Sequence, residues 1–295
     1  MRSSLGPVSR NFFSQRLRLH YVDWGNEDKP LLLLVHGGRD HCRNWDWVAE
    51  QLREDWHIVA PDLRGHGDSE WTKGSNYSFH EHVLDIAQLI EHLGEDQVTI
   101  MAHSMGGSIS LRYTGLFPEK VRKIIAIEGM GPPPAMIEQM RKKSSKDRWL
   151  NWIEQNREIA RRKPRPYKTV EDCIARMQQE NSFLNDEQAR HLTVNGIIRQ
   201  EDGTYTWKFD PYMRQMGPTG FDPSEMTTML GEITCPVMLV RGENSWAADP
   251  VEDGRVEAFS NAAKVQVETV KEAGHWVHHD QLDVFLEMAR TFLKD

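Results

Sequence analysis

Long apolar runs are missing from this chain of 295 residues. The longest, PLLLLV at 30–35, is far too short to cross a bilayer, and the N-terminal stretch MRSSLGPVSRNFFSQRLRLHYVDWG lacks the continuous apolar segment of a secretion signal. Cysteine is scarce: Cys42, Cys173 and Cys235 stand far apart and form no CxxC. An odd, scattered set suggests neither a disulfide framework nor a zinc site and leaves reduced thiols as the expectation. Positive charge is also short. The formal net charge is -8, whereas phosphate backbones and anionic membranes select for clustered positive potential, so neither nucleic acid nor membrane insertion is expected. No internal repeat, metal-ligand spacing or cofactor motif is present. These absences leave a cytoplasmic protein that acts on a small molecule, needs no metal or organic cofactor, and has an open oligomeric state.

What is there is ordinary globular material, 39% hydrophobic and 27% charged, enough for one sizeable core. Short apolar runs bounded by turn residues recur at 31–35, 57–60, 98–102 and 124–128, and read as buried parallel strands. Helical patterns separate them. In SFHEHVLDIAQLIEHLG, Ser78 and Glu81 are spaced as a capping box, Val83, Ile86, Ala87 and Ile90 mark one face, and Gly94 ends the helix. Alternation of strand and helix means α/β.

From about Gly131 to about Glu232 the pattern becomes helical, polar and charged, which reads as an insertion over 132–231 between core segments 1–131 and 232–295. Its basic clusters, RKKSSKDR and RRKPRPYK, read as solvated outer helix faces instead of a patch for an acidic partner. Strand signals return at 236–240 and 265–270. A last helix follows, with Leu282, Phe285, Leu286, Ala289, Phe292 and Leu293 at helical spacing.

Chemistry concentrates at three places. VTIMAHSMGGSISLRY sets Ser104 between a strand and a helix, with Ala102 and Gly106 two residues to either side. A serine on a tight strained turn projects its hydroxyl away from the sheet, and only small flanks avoid the neighbouring elements. LLLLVHGGRD ends a strand in His36, Gly37 and Gly38, where glycine lets backbone approach a ligand. VKEAGHWVHHDQL offers His275 after the last strand, with His278 and His279 as neighbours expected to begin the final helix.

The HGG turn, PDLRGHGDS at 61–69, AHSMGG at 102–107 and AGHW at 273–276 together resemble the α/β-hydrolase superfamily, in its capped esterase and dehalogenase-like branch. The likeness spans the core, about two thirds of the chain. It implies a mostly parallel sheet flanked by helices, a helical cap inserted after the sixth strand, an oxyanion hole from the N–H groups of Gly38 and Met105, and a structural role for Asp62, Arg64 and Asp68. Relatives that attack alkyl carbons use an aspartate nucleophile, because the ester it leaves can be hydrolysed. Ser104 implies acyl transfer instead, with carboxylic esters as the default substrate.

The usual acid loop of this family reads RGENSWAADP here and puts Ser245 and Trp246 where a carboxylate is expected. Glu128, closing the run IIAIE, fills that vacancy, since some members of the branch carry the acid after the sixth strand. Asp249 is the runner-up, and Glu243 sits nearer the strand end than the usual acid. The same residue set also serves C–C bond hydrolases, lactonases, thioesterases and perhydrolases, and a degenerate hydrolase that binds a ligand remains a different-class alternative.

Overall fold

The apolar runs become the middle of a single large sheet. The computed structural model describes residues 6–74, 77–214, 217 and 223–294; residues 1–5 of the N-terminal stretch and part of the inserted segment lie outside them. The strands are β1 (Val8–Ser14), β2 (Leu17–Asp23), β3 (Leu31–Val35), β4 (His57–Pro61), β5 (Val98–His103), β6 (Val121–Ile127), β7 (Ile197–Arg199), β8 (Tyr205–Trp207), β9 (Val237–Gly242) and β10 (Val265–Val270). Eight form the main sheet in the order β1-β2-β4-β3-β5-β6-β9-β10, and β7 pairs β8 apart from it. From β4 to β10 every neighbouring pair is parallel; β1 and β2 add an antiparallel edge. This is the α/β-hydrolase architecture.

Period-two alternation explains why β3 is apolar throughout. Leu31, Leu33 and Val35 pack with Ile86, Leu89 and Ile109 of the helices Phe79–Leu93 and Met105–Leu116, while Leu32 and Leu34 pack with Trp45, Val48, Phe285 and Ala289 on the opposite face. Both faces are dry, so both registers must be hydrophobic.

The sequence reading needs two corrections here. The helix Phe79–Leu93 starts after Ser78 and stops at Gly94 in the left-handed region, but the capping box does not form. Ser78 Oγ bonds His80 Nε2, and Glu81 is drawn to Arg64 at 2.7 Å, because a buried guanidinium holds a carboxylate more strongly than a backbone N–H does. The inserted segment is also not wholly helical. Besides the helices Pro134–Arg141, Ser145–Arg161, Val170–Glu180 and Asp186–Gly196, it carries the hairpin β7–β8, turned at Gly203 with φ 84°. Two of its helices do have complete capping boxes, Thr169 with Asp172 and Asn185 with Gln188.

The helix Pro223–Gly231 buries Met226 and Leu230 in the main core beside Ile109 and Leu239. Among the described residues no helix is long and apolar enough to cross a membrane.

Candidate active site

Ser104 occupies the turn between β5 and the helix Met105–Leu116 with φ 51° and ψ -118°, a conformation that disfavours any side chain. Two constraints hold it there. Its N–H donates to the Ile127 carbonyl at 2.8 Å, tying the turn to the end of β6. Gly106 lies so close to β3 that a Cβ there would sit 2.4 Å from the His36 carbonyl oxygen and 2.7 Å from that of Val35. The small flank inferred from sequence is therefore a contact with backbone, which cannot yield.

His275 arrives from the segment after β10, and its Nε2 lies 3.0 Å from Ser104 Oγ. Its carbonyl accepts a hydrogen bond from His103 Nε2 at 2.9 Å, so the residue before the serine fixes the backbone of the histidine that faces it. His103 is buried, and desolvation pushes its pKa well below the usual value, keeping it a neutral one-proton donor.

Glu128 follows β6 in the left-handed region, φ 53°, and its side chain is wholly buried. Oε2 stands 3.5 Å from His275 Nδ1, and His275 Nδ1 has no aligned hydrogen-bond partner among the described residues. That separation is long for a charge-assisted bond, and such contacts are often loose before substrate binds. The carboxylate is aimed from behind: Oε1 accepts the N–H of Gly242 at 2.8 Å, and Oε2 accepts the hydroxyl of Ser245 at 2.9 Å. Ser245, which marks the vacancy in RGENSWAADP, thus anchors the Glu128 carboxylate. Trp246 lays its ring against His275 with centroids 4.8 Å apart, although it is 77% exposed.

The other carboxylates of that loop are occupied elsewhere. Asp249 pairs with Arg241 at 2.8 Å and accepts the N–H of Val251, and Glu243 accepts the N–H of Glu272. The structure brings Glu128, and neither Asp249 nor Glu243, to His275. His278 and His279 are buried in the short helix Val277–Asp280; His278 bonds Asn44 and stacks on Trp45, and burial pushes His279 down to about 3.

Gly38 and Met105 face each other, since a Cβ built on Gly38 would lie 3.7 Å from Met105 Sδ. Gly38 and Trp276, the residue after His275, both line a cavity of about 690 Å³. The preceding His36 is a structural post: its Nε2 accepts the N–H of Leu63, its Nδ1–H donates to Gly37, and burial lowers it to about 3.

PDLRGHGDS is equally occupied. Asp62 accepts the N–H groups of Cys42 and Asp68 and pairs with His20 at 2.7 Å; burial opposes its ionisation, but these bonds hold its pKa below the ordinary value. Arg64 is clamped by Asp85 and Glu81. His20, Cys42 and Asp62 are close enough together to suggest metal ligands. His20 and Asp62 already satisfy each other, however, and burial pushes the Cys42 thiol well above its usual pKa, away from the thiolate a metal requires.

Sequence reasoning missed His103, Ser245 and Trp246 as partners. Nothing in their residue types announces a contact with a distant segment, over a hundred residues away for His103 and Ser245, except that each adjoins a residue already singled out.

Comparisons with known proteins bear on the family and the fold. The family model for the alpha/beta hydrolase fold matches residues 30–282. Epoxide hydrolase 1 of Caenorhabditis elegans is 25% identical over 98% of this chain and 70% of its own length. A serine hydrolase-like protein of Danio rerio is 24% identical over 92% of this chain and 83% of its own. Among solved structures, the thioesterase domain from the curacin biosynthetic pathway superposes with a TM-score of 0.82 at 23% identity, covering 97% of this chain and all of that one. A strained serine between strand and helix, a histidine returned from beyond the last strand, and a match over most of the length lead to one conclusion: the chain belongs to the α/β-hydrolase family.

Proposed function

We propose that this protein is a serine hydrolase that cleaves carboxylic esters through an acyl-enzyme intermediate. The observation that carries the reading is the 3.0 Å approach of His275 Nε2 to Ser104 Oγ on a turn that exposes the hydroxyl. His275 takes the hydroxyl proton as Oγ attacks the ester carbonyl. The oxyanion is received by the N–H groups of Gly38 and Met105, and the departing alcohol regains the proton from His275. Water then repeats the sequence on the acyl-enzyme. Glu128 stabilises the imidazolium that exists between these transfers, with Ser245 and Gly242 holding its carboxylate.

Relatives named epoxide hydrolase share the fold and similar sequence. A serine that opened an epoxide would be left as an ether, which water cannot cleave at a carbonyl, so acyl chemistry suits Ser104 better. The segment 132–231, apart from the helix Pro223–Gly231 that packs into the main core, acts in this reading as a cap that sets access and selectivity.

Incubation with a fluorophosphonate tests the nucleophile, with a mass increase on the peptide containing Ser104 expected. A panel of nitrophenyl acyl esters from pH 6 to 9 tests the substrate class. An unlabelled serine together with an untouched panel, beside a working esterase, would sink the proposal.

A further inference from the structure

The cavity that starts at Gly38 and Trp276 runs out beneath the cap, and its lining reverses the sign of the chain. Five cationic side chains border it, Arg39, Arg162, Lys163, Arg165 and Arg176, against the carboxylates Asp40, Glu158 and Glu180, in a protein of net charge -8. The carboxylates are already engaged. Glu158 pairs with Arg162, Glu180 with Arg176, and Asp40 accepts from Asn44 and from the N–H of His41. Among the described residues no carboxylate pairs with Arg39, Lys163 or Arg165; Arg165 only lies over the ring of Tyr167, 5.2 Å from its centroid. RRKPRPYK is exposed to solvent from Arg161 to Pro166, as its charge pattern suggested, and three of its cations border the mouth of the cavity.

Arg39 is the informative member. It directly follows Gly38 and is held in the left-handed region, φ 64°, beside the backbone expected to receive the oxyanion. Its pKa is lowered, first by burial and then by the nearby Arg176. Arg39 and Arg176 border the same cavity, and Arg39 has no counter-ion among the described residues, which makes a favourable place for an anion.

We propose that the substrate carries an anionic group, a carboxylate or a phosphate, that binds between Arg39 and the basic segment 162–165 while its acyl carbonyl lies at Ser104. This rests on the reading of Ser104 as the nucleophile and adds the substrate class. The anion belongs either to the acyl part, as in a half-ester of a dicarboxylic acid, or to the leaving group, as in a phosphorylated thiol or alcohol.

Two matched pairs separate these sources: nitrophenyl hydrogen adipate against nitrophenyl hexanoate, and the hexanoyl thioester of phosphopantetheine against that of pantetheine. In one pair the anionic member should be preferred at least about tenfold in kcat/KM, chiefly through KM, with the preference shrinking as salt rises. Arg39→Gln should bring that ratio close to one, Arg39→Lys should retain part of it, and the double variant Lys163→Gln, Arg165→Gln should lower it. Calorimetric binding of both pairs to the Ser104→Ala protein gives a readout independent of turnover. Preferential binding of an anionic member without turnover of any ester would refute the hydrolase reading and keep the anion site. Equal binding and equal turnover within both pairs, or a preference unmoved by Arg39→Gln and by the double variant, would overturn the inference.

Discussion

The sheet side of the cavity and the side formed between β6 and β9 are built by different rules. Around Ser104, position is enforced by backbone: a carbonyl 2.4 Å from where a Gly106 Cβ would be, and N–H groups of Ser104 and Glu128 bonded to the neighbouring strands. The helix Ser145–Arg161 of the cap buries none of its residues, and Trp149 and Leu150 are about half exposed or more. The difference teaches where change is tolerated. Geometry that must hold to about 1 Å is best kept where packing leaves no alternative, whereas the segment between β6 and β9 is held by helix caps and surface ion pairs, which contribute little each.

The comparison breaks most sharply at the serine. Ser104→Ala should abolish ester turnover with an unchanged melting temperature, because the hydroxyl adds chemistry and little packing. Gly106→Ala should instead cost the fold, read as loss of soluble protein or a large fall in melting temperature, since the clash is with main chain. If Gly106→Ala were as stable as the parent, the rigidity claimed for this side would be wrong. Next comes the acid: Glu128→Gln should lower turnover by roughly 10³ to 10⁴, while Asp249→Asn stays within about tenfold of the parent. A crippled Asp249→Asn beside an active Glu128→Gln would return the acid to the loop after β9.

Acid stability sharpens the contrast from another direction. His36, His66 and His279 are buried with pKa values lowered to about 3, 4 and 3, and burial also pushes His82, His103 and His278 well below the usual value. The unfolded chain therefore binds more protons than the folded one below the ordinary histidine value, and stability falls as pH drops from about 6.5 toward 4. Asp40, Asp85 and Asp280, whose carboxyls are raised by burial, oppose this, but they are fewer. The melting temperature should be several degrees lower at pH 5 than at pH 7; an equal or higher value would contradict it. The smallest effect belongs to the cap surface. Trp149→Ala should leave the melting temperature within about 2 °C and kcat/KM within about twofold, a null that differential scanning fluorimetry and one ester assay can check.

The inner strands were legible because burial on both faces writes a continuous apolar run, and β10 coincides with the VQVETV read from sequence. The edge hairpin β1–β2 was not. β1 is largely exposed, and its turn places Gln15 at φ 56° without the glycine or asparagine that usually marks such a bend. The cap hairpin did carry a signal, Asp202-Gly203 between two β-prone runs, but the surrounding charge hid it.

At the site, Ser104, Gly38 and His275 stood out because turn sterics restrict the residues around them. The proximity of Glu128 to His275 could be reasoned only through a missing carboxylate, and Ser245 only by knowing which strands are neighbours. Pairings between distant segments leave no local pattern. Arg39 was invisible for the same reason: a lone arginine after a glycine pair becomes informative only when its surroundings are found to be cationic.

The placement of Glu128 also bears on how the molecule assembles. Ser104 and Glu128 belong to one uninterrupted β5–helix–β6 unit, ahead of the inserted segment, and their strands are direct neighbours. Ser104 and Glu128 can therefore be brought together by short-range chain closure, whereas only His275 must return across the whole stretch between β6 and β9, a long loop whose entropic cost grows slowly with length. A stretch of different size between β6 and β9 would leave the first two in register, so it can lengthen or shorten while renegotiating a single connection.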